Sequence, residues 1–510
     1  MKDSETTVMP DGWVNITVSD AVISISTNGK KIRQKEYAEQ GRYAVVDQGQ
    51  EKIGGYTDDE EILVDCQLPV IVFGDHTRVI KYVNQPFVAG ADGIKVLQPH
   101  EFVDSRFLEH CLRHISESMV SKGYARHYQH LAKSNFPLPP LPEQLRIVAK
   151  LEELLSELDK GIESFKTARE QLKVYRQALL KHAFEGKLTA KWREENKDKL
   201  ETAEVLLKRI QAERAERHRQ QMKEWEKAVK GWEKGGKQGS KPGKPSKPKE
   251  MSPLTADELA ELPDLPNGWG WVRVDEIADK VTDGEHITPK RTPSGYYLLS
   301  ARNIQNGSLA LSDVDYVPVD EYERIKQRCN PEEGDILISC SGSVGRVCRV
   351  ANNIEFVMVR SVALVKMQTL KKNSKFFEYL FQSPLLQKQI ERGKKATAQA
   401  NLFLAPICAL RVIICSSEEQ QLIIQAIDTS FSEVDQLDQT ITTALQQAET
   451  LRQSILKKAF SGQLVPQDPN DEPASKLLAR IKAERAMVGA TGRSPLPLPV
   501  NPAKQEITHD

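Results

Sequence analysis

Long apolar runs are missing from this 510-residue chain; runs such as Leu68-Pro69-Val70-Ile71-Val72-Phe73 stop far short of the ~20 residues that cross a bilayer. No membrane partner is expected. The chain opens without a basic-then-apolar leader, so its expected location is the cytoplasm. Cysteine is scarce: seven residues, at 66, 111, 329, 340, 348, 408 and 415, with no CxxC pair. That set excludes a disulfide framework and a thiolate zinc site, and it fits reduced, mostly buried thiols. An excess of one charge is lacking too, since 71 Lys+Arg stand against 71 Asp+Glu. A grip on nucleic acid through bulk positive charge is thereby disfavoured.

Chemistry of the chain's own is equally hard to find. The nearest approach to a phosphate cradle, Gly231-Trp232-Glu233-Lys234-Gly235-Gly236-Lys237, has Gln238 where Ser or Thr should hold magnesium, and no strand precedes it. The one Pro-Pro pair, Pro139-Pro140, is followed by Leu141, so the Asn/Asp-Pro-Pro-aromatic loop of an amino-methyltransferase is absent. His110 and His114 have the spacing of two metal ligands on one helix face, but no Glu follows His110 and no third ligand is placed. A packed or solvated helix face is the better reading. No catalytic, cofactor or metal residue is assigned, and the chain reads as a binder or organiser.

What is present is duplication. Residues from Pro142-Glu143-Gln144-Leu145 to Ala183-Phe184-Glu185-Gly186-Lys187-Leu188 match Glu418-Glu419-Gln420-Gln421 to Ala459-Phe460-Ser461-Gly462-Gln463-Leu464 without a gap, at an offset of 276. Pro10-Asp11-Gly12-Trp13 and Pro266-Asn267-Gly268-Trp269 precede the copies, and Leu206–Arg214 and Leu477–Arg485 follow them. The period is far too long for a solenoid, so the plan is a globular region plus a long helix, used twice. Along the helices a 3-4 heptad pattern runs through Leu151, Leu158, Phe165, Leu172 and Leu179, and through Ile427, Val434, Ile441, Leu451 and Ile455. Sustained heptads at matched positions predict two helices of about 40 residues, on the order of 60 Å each, paired as a coiled coil. Gly186 and Gly462 stand where left-handed C-terminal caps belong.

The globular regions read as β-rich. Val70–Phe73, Gly74–Arg78 and Val79–Val83 form a strand-turn-strand pattern, repeated by Ile336–Ser339, Gly342–Arg346 and Val347–Val350. Beyond such frames the two regions share little sequence, so a scaffold repeats while its loops diverge. Between the copies, residues 189–232 are dense in Lys, Glu, Arg and Gln, a solvated helix at best, and 233–249 are a Gly/Ser/Pro/Lys tether.

With these residues assembled, the sequence resembles the specificity subunits of type I restriction-modification enzymes over most of its length. The resemblance rests on Pro139-Pro140-Leu141-Pro142-Glu143-Gln144, on the two Ala-Phe-x-Gly-x-Leu ends, and on Gly74-Asp75-His76-Thr77-Arg78, Gly90-Ala91-Asp92-Gly93, Gly334–Ser339 and Gly342–Arg346. It departs at Ile413–Gln420, which lacks the usual Pro-rich lead-in, and in the long charged linker. The resemblance implies an α+β fold: two β-rich target recognition domains separated by two long antiparallel coiled-coil helices, an internal pseudo-twofold duplication. The corresponding boundaries are 1–141 and 266–416 for the recognition domains, 142–188 and 417–464 for the helices, 189–265 for the linker and 465–510 for a tail with a short helix.

It further implies that each domain reads half of a bipartite double-stranded DNA target and that the helices set the spacer. Two modification subunits, carrying S-adenosylmethionine, and two restriction (motor-nuclease) subunits, using ATP and Mg, are the expected partners. The candidate DNA contacts are Lys30, Lys31, Arg33, His76, Arg78, Tyr124, Arg126 and His127 in the first domain. In the second they are Lys290, Arg291, Ser343, Arg346, Lys394, Lys395 and Thr397. A coiled-coil adaptor with protein-binding domains, or an enzyme with an unfamiliar site, remain open alternatives. By segment, residues 1–141 carry 15 basic and 19 acidic side chains, and 266–416 carry 20 and 16. Local basic loops are therefore expected to do the reading, with the second domain the better DNA binder.

Overall fold

A computed structural model describes residues 9–90, 93–119, 126–198, 200–237, 241–245, 252–351, 354–394 and 401–491, the last few (484–491) by backbone alone. The chain divides into two compact units, residues 1–166 with 442–510, and residues 167–441. Among the described residues no helix is long and apolar enough to cross a membrane.

Both units are built on the same strand plan. In the first, β1 (Val14–Thr17) pairs antiparallel with β9 (Asn135–Leu138). A four-stranded sheet runs β2 (Val22–Ile25), β8 (Ile94–Pro99), β5 (Val70–Gly74), β6 (Ile80–Val83), all antiparallel. A three-stranded sheet centres on β3 (Tyr43–Val46), antiparallel to β4 (Gly55–Thr57) and parallel to β7 (Phe87–Ala89). The second unit repeats this: β10 (Gly270–Arg273) pairs with β20 (Arg411–Ile414). Its larger sheet runs β11 (Lys280–Asp283), β19 (Val362–Lys366), β16 (Ile336–Ser339), β17 (Val347–Arg349). The smaller centres on β12 (Tyr296–Leu299), antiparallel to β15 (Asp315–Val317) and parallel to β18 (Phe356–Met358). A short hairpin, β13 (Ile304–Gln305) with β14 (Ser308–Leu309), is extra to the second copy.

The central strands are apolar without alternation because both faces are covered. Ile71 and Phe73 share a core with Phe107 and Leu108 of the helix Ser105–Ser118, whereas Val70 and Val72 meet Val46, Phe87 and Ala89 of the small sheet. In the second unit Ile336 and Ile338 take the helix side with Phe376 and Phe377, and Leu337 faces Leu299, Phe356 and Met358.

The long helices span Leu141–Phe184 and Ser417–Phe460. Each closes with the expected glycine, Gly186 at φ 71° and Gly462 at φ 72°. Lys187 N–H donates to His182 O and Gln463 N–H to Lys458 O, satisfying carbonyls the last turn leaves open. In the first unit Leu151 packs with Ile455, Leu456 and Ala459. In the second, Arg169 pairs with Asp438 at 2.9 Å and Arg176 with Asp435; numbers rise on one helix as they fall on the other, so the pairing is antiparallel. The seven-residue series Ile427, Val434, Ile441, Ala448 and Ile455 is buried throughout, with Leu151 and Leu179; Leu158 and Leu172 are half-buried. Two seam assignments need correction. Leu451 is 51% and Phe165 38% exposed, because a pair of helices covers only one narrow stripe and these positions lie on its flank.

The repeated Glu-Gln at the head of each long helix welds it to its own domain. Glu143 accepts from the Trp13 indole at 3.0 Å and Glu419 from Trp269 at 2.8 Å. Gln144 donates to Pro139 O and accepts from Asp104 N–H; Gln420 donates to Cys415 O and accepts from Asn373. Asp104 and Asn373 are the N-caps of the equivalent domain helices. Two turns further on, Glu152 meets Arg106 and His110, and Asp428 meets Lys375 and Tyr379. The linker also departs from a merely solvated helix. Ala203–Lys234 is one helix whose first half buries Ala203, Leu206, Ile210 and Arg214, with Arg214 donating to Glu276 O. That segment repeats in unit 1 as Ala474–Thr491: Ala203 N–H bonds Gly268 O, and Ala474 N–H bonds Gly12 O, both at 2.9 Å.

Candidate nucleic-acid interface

In each unit three connections converge at one edge: the segment after the central strand of the small sheet, the hairpin of the large sheet, and the turn joining the sheets. In the first unit these are residues after β3, the β5–β6 hairpin and the β7–β8 turn. Thr77 Oγ1 donates to Gln48 O at 2.7 Å, Gly90 N–H to Val46 O, and Asp75 N–H to Gly93 O. A side chain at Gly90 would collide with Asp47 and the Tyr37 hydroxyl, which is why the turn comes so close. Asp47 is neutralised by Lys81, a 3.2 Å ion pair whose lysine is almost fully buried.

In the second unit the same three connections frame an open cleft of about 690 Å³, lined by Ser300, Arg302, Ser341, Ser343, Arg346 and Ser361. The hairpin is locked from beneath. Buried Ser339 donates its hydroxyl to Ser343 O at 2.6 Å and accepts the Arg346 N–H at 2.9 Å. Gly342, at φ 64°, takes the left-handed turn position. Ser361 Oγ accepts from Ala301 N–H at 3.0 Å, and Cys340 N–H donates to Ser361 O, tying the three connections together. The cleft's two arginines differ. Arg302 is held by Asp315 at 3.2 Å and Asp313 at 3.6 Å, while the half-buried Arg346 guanidinium has no ion pair or side-chain hydrogen bond among the described residues. The thiols behind the strands, Cys340 and Cys348, are pushed up to about 12 by burial and are inert.

Ser343 and Arg346 thus lie together at this edge, joined by Arg302 and three serines that sequence reasoning missed. They come from separate loops without a common motif; the only pointer was that loops diverge where the scaffold repeats. Arg291 lies nearby in the fold, 3.4 Å from Asp315, and Lys290 is exposed. Lys31 and Arg33 are exposed on a segment that runs beside Ala89, and Lys30 donates to Glu61 O. His76 is half-buried in the β5–β6 turn and Arg126 is exposed.

Two expected contacts are corrected. His127 is 2% exposed, its Nδ1 3.1 Å from Asp75 O, because the backbone there folds onto the Asp75 carboxylate. Arg78, at φ 63°, turns inward and caps the helix Ser105–Ser118, donating to Met119 O at 2.5 Å. Lys394 is half-buried and paired within its own turn with the exposed Glu391. Tyr124, Lys395 and Thr397 lie outside the described residues, as do Ala91 and Asp92. His110 and His114 form no metal cluster: His110 sits by Glu152 at 3.9 Å, His114 packs on the Phe460 ring, and no group of three or more potential ligands occurs among the described residues.

Comparison with known proteins places the chain in a family. The family profile described as type I restriction modification DNA specificity domain matches residues 10–164 and 266–447. The chain is 25% identical to the type I restriction enzyme EcoBI specificity subunit of Escherichia coli, over 94% of each chain. It is 24% identical to the EcoKI specificity subunit of Escherichia coli strain K12, over 77% of this chain and 75% of that one. A solved chain, from work on complex assembly and conformational transition of the type I R-M system, shares the fold at a TM-score of 0.56 and 17% identity, covering 89% of this chain and 99% of that one.

Proposed function

The chain belongs to the type I restriction-modification DNA specificity family, and from that premise we propose that it reads a bipartite target in double-stranded DNA. Each unit reads one half-site with the loop edge described above. The paired helices fix the unread spacer between the half-sites, since readers at a set separation accept one spacing at ~3.4 Å per base pair, plus what bending allows. Two methyltransferase subunits, bringing S-adenosylmethionine, dock to modify adenine; two motor-nuclease subunits, using ATP and Mg, translocate and cleave. The chain itself supplies recognition.

The observation that carries this reading is the duplicated strand plan with diverged edges: the same sheet order and the same helix welds recur in both units, yet the edge residues differ. A protein-docking adaptor gives no reason for two unlike faces on one scaffold, each beside a long helix. The test is co-expression with the methyltransferase subunits and mapping of methylated adenines. A bipartite methylated motif is expected; its absence from a verified assembly sinks the reading. Removing one helical turn from both long helices should alter the accepted spacer and leave both half-sites intact.

A further inference from the structure

We infer that the Asp47–Lys81 ion pair is a positioning element for base reading by the first unit: it holds the loop after β3 in the place that its half-site requires. The inference rests on the reading above and adds to it the residues that set one reading edge.

Geometry comes first. Lys81 stands in β6, the outer strand of the large sheet, and Asp47 follows β3 of the small sheet. Lys81 Nζ lies 3.2 Å from Asp47 Oδ1, with the two side chains 4% and 19% exposed. The same Oδ1 accepts the Gly49 N–H at 2.9 Å. A side chain at Gly54 would begin 2.6 Å from the Asp47 carboxylate, and one at Gly90 would begin 2.4 Å from the Asp47 Cβ. Asp47 thus meets the large sheet, both ends of the β3–β4 loop and the turn after β7. The loop it anchors carries Gln48, Gln50 and Lys52, and Gln48 O in turn accepts the Thr77 hydroxyl of the hairpin.

The second copy shows what the frame needs without the pair. Lys81 stands opposite Val72 as Cys348 stands opposite Leu337, and Asp47 follows β3 as Ser300 follows β12. Cys348 is fully buried in a cluster with Leu299, Phe356 and Met358. Ser300 is held by neutral bonds, its N–H and hydroxyl donating to Asn303 Oδ1 at 2.9 and 3.1 Å. The same sheet order therefore closes with an apolar residue in the lysine's place.

Stability alone gives no reason for charges there. Both groups must leave water, and apolar replacements of a buried ion pair are often neutral or stabilising. What the pair supplies is direction. Apolar burial is non-directional, whereas a charge-assisted hydrogen bond fixes distance and angle. Reading a base demands such control, because the reading side chains must be held within about 0.5 Å of their productive places.

The test uses the full chain assembled with its methyltransferase subunits, mapping methylated adenines for wild type and for the double variant Asp47→Asn, Lys81→Met. That variant removes both charges while keeping the side-chain shapes and the acceptor for Gly49. The wild-type motif checks the underlying reading separately: no bipartite motif there removes that reading and this inference with it. Given such a motif, the double variant should assemble and melt close to wild type. It should lose about 10- to 100-fold in discrimination at one or more positions of one half-site, with the other half-site and the spacer unchanged. An unchanged motif, whatever the melting temperature, overturns the inference and leaves the pair a matter of stability. Relaxation of both half-sites also overturns it, because both residues lie in the first unit. If the double variant fails to assemble, Asp47→Asn alone decides by the same outcomes. Failure of both variants to assemble makes the pair a folding requirement and overturns the inference.

Discussion

Replacing Glu419 by alanine is the sharpest test of how the second domain is welded to its helix. The Glu419 carboxylate is 1% exposed and accepts from the Trp269 indole at 2.8 Å, the Thr189 hydroxyl at 2.6 Å and Arg193 Nε at 2.9 Å. Truncation leaves Arg193, 12% exposed, as a buried charge without its counter-ion. Breaking such a pair from one side costs about 3–5 kcal/mol. Arg193 keeps bonds to Gly186 O and Thr189 and lies over the Trp269 ring, which cushions the loss. The stranded indole N–H adds about 1–3 kcal/mol that is not additive with it. The net is ~4 kcal/mol, a fall of about 1.3–2 M in urea midpoint for a slope of about 2–3 kcal/mol/M.

The control is Glu143→Ala. There Arg146 has its own partner, Asp471 at 2.6 Å, so no charge is stranded, and the loss of the Trp13 indole's acceptor costs about 1–2 kcal/mol. Burial also pushes the Glu143 carboxyl up, so its removal relieves some desolvation. Urea unfolding followed by tryptophan fluorescence suits the comparison, because five of the six tryptophans belong to residues 167–441. Adding Arg193→Ala to Glu419→Ala should restore part of the loss. A Glu419→Ala midpoint no lower than that of Glu143→Ala, or no recovery in the double variant, refutes the argument.

The helix seam yields a second expectation: Ile455→Ala should cost about 2–4 kcal/mol and Leu451→Ala less than about 0.5 in thermal melting, and equal losses would contradict the assigned stripe. Arg78→Ala should destabilise the first unit by about 1–3 kcal/mol through its lost helix cap while leaving both half-sites unchanged; a relaxed half-site would show that Arg78 touches bases after all. His110 faces Glu109, Glu152, Arg106 and Arg113, and burial holds its pKa below the usual value. Its folded pKa being the lower, the stability it contributes is full above the ordinary value of about 6.5 and drains away as pH falls further. His110→Tyr, the residue type found at Tyr379 in the other copy, should flatten the melting-temperature profile between about pH 7.5 and 5.5; parallel profiles would refute this.

Much of the site was legible only in outline. The Gly342–Arg346 turn was found because glycine spacing between two apolar runs marks a hairpin, and Ser343 and Arg346 came with it. Arg302 and Ser361 carried no such mark, since they reach the cleft from loops about 40 and 15 residues away in a fold whose strand order is not sequential. His127 and Arg78 failed for the converse reason: a basic residue next to a turn looks exposed in sequence, and only tertiary contacts turned these two inward, His127 onto Asp75 and Arg78 onto the end of the helix Ser105–Ser118.

The duplication, the long helices with their glycine caps and the core strands could be read from the chain alone. These follow from periodicity and local backbone preference, which neighbouring residues settle among themselves. Folding alone reveals which heptad stripe is buried, that the Glu-Gln heads are welds, that the first half of the linker helix is packed, and which arginine at the loop edge has no ion pair among the described residues. Each depends on groups far apart in the chain meeting at a burial site, where the cost of an unpaired charge or an exposed apolar face selects one arrangement.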